Sequence, residues 1–229
     1  MAGRLQVVVV GAGYAGVMAV NRIAAAGHRD VEVTVVNPRS RFVERLRLHQ
    51  HAAGTDDGNV VASDCTIWAG SFEVPDLALR SGLPVDEHAR LLTDETLVCV
   101  DHPRIVGVGD AAAPPTGVAV HLRMSCQAAI PMGAHGADTV LALIRGQEPG
   151  SLSVGLGGQA VSLGRRAALI QAARADDSPR RFMLSGRPAA VVKEFVCRST
   201  VASIRRKPAT YRWLPRPQPT RAGEEKAVR

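Results

Sequence analysis

The chain has 229 residues, 46% hydrophobic and 21% charged, which describes a folded globular protein and excludes a disordered one. Its net charge is +7, but residues 200–229 hold eight Lys or Arg against two Glu, so the first 199 residues are nearly neutral. With only 3% aromatics there are few platforms on which bases could stack, and nucleic acid is not an expected partner.

In chain order, "LQVVVV" at 5–10 is a continuous apolar run, expected as a strand covered on both faces. It is too short for a signal-peptide core, and nothing in the sequence approaches a membrane span. "VMAVNRIAAAG" reads as a helix closed by Gly27 at C′, and "VEVTVV" at 31–36 as a second, β-branched strand. That is a β-α-β unit of the size a right-handed parallel crossover needs. Residues 41–53 read as a helix, and "CTIWAG" at 65–70 and "RIVGVG" at 104–109 as short strands. The longest helix is expected over 123–146, with Pro131 as a kink. "QAVSLGR" and "RAALIQAAR" then read as a hairpin, 188–206 as a helix, and the Pro/Arg-rich tail as unstructured. The expected organisation is α/β: a Rossmann-like dinucleotide-binding domain over 1–150 and a small C-terminal α+β region over 151–229. Cys65, Cys99, Cys126 and Cys197 are widely spaced, as unlinked thiols in a reducing cytoplasm would be.

The chemistry-bearing motif is "GAGYAG" at 11–16, a G-x-G-x-x-G set between a strand and a helix. Gly11 permits a tight turn, Gly13 lets the backbone approach a pyrophosphate, and Gly16 lets helix and strand pack closely. Tyr14 and Ala15 open the helix, whose N-terminal amides carry partial positive charge toward phosphates. The acid expected about 20 residues further on is replaced by Asn37, which can exchange hydrogen bonds with ribose hydroxyls. Arg39 beside it could stack on adenine or meet a phosphate. "GVGDAA" at 107–112 and "GLGGQA" at 155–160 match the pattern loosely but lack the following helix and strand. In the first of these, Gly109 and Asp110 end a short strand, where an open α/β sheet places its ligands. A carboxylate there can accept from a polyol such as the ribitol of FAD, or can cap the next turn.

On "VVVVGAGYAGVMA", "VVNPRSRFVERLRLHQHAAG", "IWAGSFEVPDLALRSGLPVDE", "IVGVGDAA", "CQAAIPMGAHGAD" and "SLGRR", the chain resembles a family of two-dinucleotide flavoproteins. This is the type II NADH:quinone oxidoreductase (NADH dehydrogenase-like) family, within the FAD-dependent pyridine nucleotide-disulfide oxidoreductase superfamily. The resemblance implies FAD as cofactor, NADH as donor and a quinone-type acceptor. It places Gly11, Gly13, Tyr14, Ala15, Gly16, Asn37 and Arg39 at the ADP half of FAD, and Gly109 and Asp110 at the ribitol. Gln127 and Ala128, at the start of the long helix, would lie by the isoalloxazine. Separately, 25 Arg against 3 Lys point to a GC-rich bacterial source, the unlinked cysteines to the cytoplasm, and the 188–206 helix with the basic tail to a peripheral place on the inner face of the membrane.

There are departures. The chain has no C-x-x-C and no cysteine in 40–54, which disfavours dithiol chemistry. Neither Tyr14 nor Tyr211 is followed four residues later by Lys, and G-x-S-x-G and H-E-x-x-H are absent, so neither a metal site nor a named catalytic residue is expected. The family's NAD(P)H domain, with its own glycine fingerprint, would enter after residue 54; here Thr55–Asp64 stands in its place. The alternatives are therefore a non-catalytic FAD-binding or interaction protein, and an NAD(P)-binding regulator using the single Rossmann unit. On residues 188–206, Val191, Val192, Phe195 and Val196 recur at helical spacing, either as a face packed on the core or as an amphipathic face for an anionic membrane surface.

Overall fold

The computed structural model describes residues 4–39, 42, 74–206 and 208–216. The helix expected over 41–53, the Thr55–Asp64 replacement, the strand expected over 65–70 and the tail beyond 216 lie outside the described residues.

Strand β1 (Leu5–Val10), helix α1 (Tyr14–Ala25) and strand β2 (Val31–Val36) form the expected β-α-β unit, with β1 and β2 parallel and Val7 opposite Val33. Gly27 follows the helix with φ +70°, the left-handed conformation in which glycine closes helices without Cβ strain. Val7, Val31 and Val33 pack on Ala19 and Ile23 of α1, and on Ala137 and Leu141 of the long helix described below. Coverage of both faces is not found. Val8 and Val10 are 58% and 62% exposed, Val36 is exposed, and Gln6 and Glu32 exchange a hydrogen bond on the same face. A continuous apolar run marks a strand without telling how many of its faces are covered.

The middle of the chain is built from short pieces. A helical turn, α2 (Leu77–Arg80), precedes strand β3 (Leu91–Leu92), and β4 (Val98–Cys99) pairs antiparallel with β5 (His102–Val106). The strand expected at 104–109 thus ends at Val106. Gly109–Ala111 is a 3-10 turn, followed by β6 (Ala112–Ala113), which pairs parallel with β3. After a helical turn, α3 (Thr116–Ala119), comes α4 (Cys126–Ile144), the longest helix expected from the sequence, with Pro131 inside it. Twelve of its 19 residues are buried, because it lies against α1 on one side and the 106–112 segment on the other.

The C-terminal part is a three-stranded antiparallel sheet, β7 (Gly158–Ser162), β8 (Ala168–Ala173) and β9 (Pro179–Ser185), followed by helix α5 (Gly186–Arg206). The expected hairpin is β7–β8. The third strand went unforeseen because "PRRFMLS" begins with Pro and two arginines and shows no clean alternation. Residues 208–216 then run back over the helices: the Trp213 indole donates to the Ser153 carbonyl at 2.8 Å, and Gly155 N–H donates to the Leu214 carbonyl at 2.6 Å. The chain is a mixed α/β protein with short parallel and antiparallel sheets. Its parallel pairings among the described residues, β1–β2 and β3–β6, are each two-stranded, so they do not by themselves make the extended sheet with flanking helices that was expected.

Candidate functional site

The glycine turn has a defined shape. Gly11 sits at φ +98°, a backbone conformation that any side chain would strain, and its N–H donates to the Val36 carbonyl at 2.8 Å. Gly16 must lack a side chain because a Cβ there would overlap the Gly11 carbonyl oxygen. Gly13 is different: it is the N-cap of α1, with ordinary extended dihedrals, and a Cβ built on it would meet nothing within 4 Å among the described residues. No side chain caps the helix start. The turn therefore presents open space at Gly13, beside the positive end of a helix dipole.

Asn37 holds this shape. Its Oδ1 accepts from Ala12 N–H at 3.0 Å and its Nδ2 donates to the Arg39 carbonyl at 2.6 Å. The amide expected to meet a ribose is thus first a brace between β2 and the turn, with one Oδ1 lone pair still to offer. Arg39 is exposed just past β2.

Three segments converge on Ala15. Gly109, at φ +72°, lies so close that a Cβ on it would stand 2.8 Å from the Ala15 Cβ and 3.8 Å from the Ala129 Cβ. Gly133 of α4 faces the Ala15 backbone with no room for a side chain, and Gly136 is similarly pressed against Val108. The first turn of α1, the 3-10 turn and the N-terminal half of α4 therefore meet at one end of the molecule. This brings Gly109, and with it the turn that carries Asp110, beside the first turn of α1. Asp110 is exposed in the 3-10 turn, four residues past the end of β5 rather than at a strand end.

At the start of α4, Ser125 is the N-cap, and its Oγ accepts from Ala128 N–H at 3.2 Å. Ala128 is buried and its amide is already engaged, whereas Gln127 is exposed. In the orientation that satisfies both of its polar atoms, the Gln127 amide donates to the Gly158 carbonyl (2.9 Å) and accepts from Gly157 N–H (3.0 Å). Gln127 thus does not cap its own helix; it ties the helix start to β7. Pro131 has no N–H for the Gln127 carbonyl, which loosens this first turn.

Helices α1 and α4 also carry groups whose roles the sequence did not single out. Arg22 makes a two-pronged pair with Asp138 (2.7 and 2.8 Å) and donates to the carbonyls of Pro208 (2.9 Å) and Tyr211 (3.3 Å). Its guanidinium also lies 5.9 Å from the centre of the Trp213 ring. That one side chain clamps α1, α4 and the 208–216 segment together. Burial pushes the Cys126 thiol above its usual pKa against the pull of Lys193, with Cys197 adding to the rise, so the thiol stays protonated at neutral pH. Burial likewise lowers the His135 pKa, while its Nε2 keeps a 3.0 Å hydrogen bond to the Gly150 carbonyl. The signal for the packed end was in the sequence, as the small residues of "GAGYAG" and "GAHGA"; which of them would touch was not.

The chain matches no protein-family model and no curated protein sequence.

Proposed function

We propose that the chain is an FAD-binding protein with a Rossmann-like dinucleotide site, acting as an NADH dehydrogenase-like oxidoreductase that passes electrons to a quinone-type acceptor. The observation that carries this reading is the juxtaposition at Ala15: a glycine turn open at Gly13, a second glycine turn bearing Asp110, and the start of α4. The open space at Gly13 and the uncapped start of α1 fit a pyrophosphate, which needs close backbone approach and a helix N-terminus.

On this reading Gly11 and Asn37 keep the turn in shape, Gly13 admits the phosphates, and Arg39 meets the adenosine end. Asp110 accepts hydrogen bonds from the ribitol hydroxyls, and α4 directs its positive end toward the ring system. FAD, when bound, supplies the two-electron chemistry that no side chain here can supply. A second reading, a flavin binder without turnover, is favoured by the lack of a second glycine fingerprint followed by a helix.

Absorbance of the purified protein at about 450 nm tests flavin binding, and bleaching by NADH separates enzyme from binder. Saturable bleaching would favour the oxidoreductase; a bound but unbleached flavin would leave the binder, and absence of any flavin affinity would defeat both. Asp110→Ala should weaken FAD binding by about 1–3 kcal/mol, the scale of a hydrogen bond to a charged group. We place the protein at the inner membrane surface through α5. Its Val191 and Phe195 are 71% and 69% exposed, so this part of the apolar stripe is not packed on the core, although Ile204 is buried. No helix among the described residues is long and apolar enough to cross a membrane.

A further inference from the structure

Between the β7–β8 hairpin and α5 lies a groove of about 510 Å³, within the range of small-ligand sites. Its walls carry Arg165 and Arg166 from the hairpin tip, and Arg187, Lys193, Glu194 and Arg198 from α5. The hairpin is folded toward the helix for identifiable reasons. Gly164 turns the chain at φ +92°, Leu163 N–H closes the tip by donating to the Ala167 carbonyl at 2.9 Å, and Ala168 bridges to Gly186. Lys193 Nζ donates to the Ala160 carbonyl at 2.8 Å, fixing α5 against β7.

The charges in the groove do not balance. Glu194, the acid among its lining residues, is paired with Arg198 at 2.7 Å. Arg165 and Arg166 at the hairpin tip and Arg187 near the start of α5 line the same concavity and are in no ion pair among the described residues. Cationic side chains gathered in one concavity give it a positive potential that an anion would relieve. Guanidinium forks suit tetrahedral phosphate oxygens, each able to give a two-pronged contact. The start of α5, which lies in the same wall, adds its partial positive charge.

We infer that this groove binds the phosphate groups of a small, soluble, multiply phosphorylated molecule. The concavity favours a compact ligand that several arginines reach at once over a flat anionic surface that would meet them one at a time. The site lies on different elements from the glycine turn and does not depend on the flavin reading.

Calorimetric titration of the full chain with inorganic pyrophosphate at low salt tests it. Expected is saturable one-to-one binding that weakens at least about tenfold in an Arg165→Ala/Arg166→Ala/Arg187→Ala variant. All three side chains are exposed, so the variant should fold. A control variant, Arg104→Ala/Arg180→Ala/Arg181→Ala, removes the same charge from exposed positions outside the groove and should bind as the parent does. Equal weakening in both variants, or no binding of pyrophosphate at millimolar concentration, would overturn the inference. Phosphatidic acid vesicles form the second arm. If they bind through these arginines while pyrophosphate does not, the occupant is a lipid headgroup and the soluble ligand is refuted.

Discussion

The two ends of the molecule are built on opposite terms. Where the first turn of α1 meets α4, Gly133 packs against the Ala15 backbone and the Gly109 turn closes on Ala15 and Ala129, with no room for larger side chains. In the C-terminal sheet and helix, the large apolar side chains Leu163, Phe182, Val191 and Phe195 are all more than 60% exposed, among arginines. The first arrangement fixes a backbone shape, which is what a cofactor held by main-chain amides requires. The second presents side chains, which is what a ligand or a surface held by charge and apolar contact requires. Substitutions at the packed glycines of the first end should therefore be felt as loss of fold, and substitutions at the second as loss of binding.

The contrast is sharpest at Gly133. Its neighbour is the Ala15 backbone, which cannot swing aside as a side chain could. Gly133→Ala should cost on the order of 3 kcal/mol, at the upper end of overpacking penalties, and denaturant unfolding measures it. A change under about 1 kcal/mol would mean that the two helices are not locked.

Arg22→Ala should come next. It removes a two-pronged ion pair and two hydrogen bonds to carbonyls from a side chain that is 9% exposed, although Asp138 at 44% exposure keeps much of its hydration. The expected loss is about 2 kcal/mol. Trp213 emission, read in a Trp68→Phe background, should shift to the red as the 208–216 segment loosens. Ser125→Ala should cost about 1 kcal/mol, the usual worth of an N-cap.

His135 adds a pH dependence of defined sign. Its folded pKa lies below the ordinary 6.5 because burial disfavours the imidazolium. Above pH about 6.5 neither state holds the proton, and this group contributes nothing to the balance. Below it, the unfolded chain takes up a proton that the folded chain resists, so stability falls with pH until the folded pKa is passed. His135→Gln should flatten this part of the melting-temperature profile, and an unchanged slope would show that other groups cause it.

The smallest effect on stability is expected at the other end. Val191→Ser/Phe195→Ser should leave unfolding within about 0.5 kcal/mol, since these side chains are exposed. The same change should reduce flotation with anionic vesicles, most clearly at low salt, where the charges nearby are least screened.

How much of this could be read in advance follows the same division. The β-α-β unit, the long helix and the β7–β8 hairpin were legible because periodicity and glycine placement are local properties. The exposure of Val8 and Val10 was not, since coverage of a strand depends on partners remote in sequence. The glycine turn was legible in detail down to Gly11 and Gly16. The brace formed by Asn37, the tie from Gln127 to Gly158 and the clamp formed by Arg22 were not, because each joins elements 25 or more residues apart through a side chain that has several reasonable partners. The arginine groove escaped for a related cause: "GRR" and Arg187 are unremarkable until the turn at Gly164 brings them together.

Gly13 offers the most direct test of the proposed dinucleotide site. Unlike Gly11 and Gly16, it has ordinary dihedrals and, among the described residues, empty space where a side chain would go, so Gly13→Val should fold with only the small cost of a poorer N-cap. FAD titration of the two proteins, followed by flavin fluorescence, then isolates the turn's role in phosphate approach. Expected is a melting temperature lowered by no more than about 4 °C, the scale of a poorer N-cap, with FAD affinity reduced by at least about 100-fold, since the valine methyl groups would occupy the space the phosphates need. Equal FAD affinity in the two proteins, or none in either, would contradict the assignment of this turn as a flavin dinucleotide site.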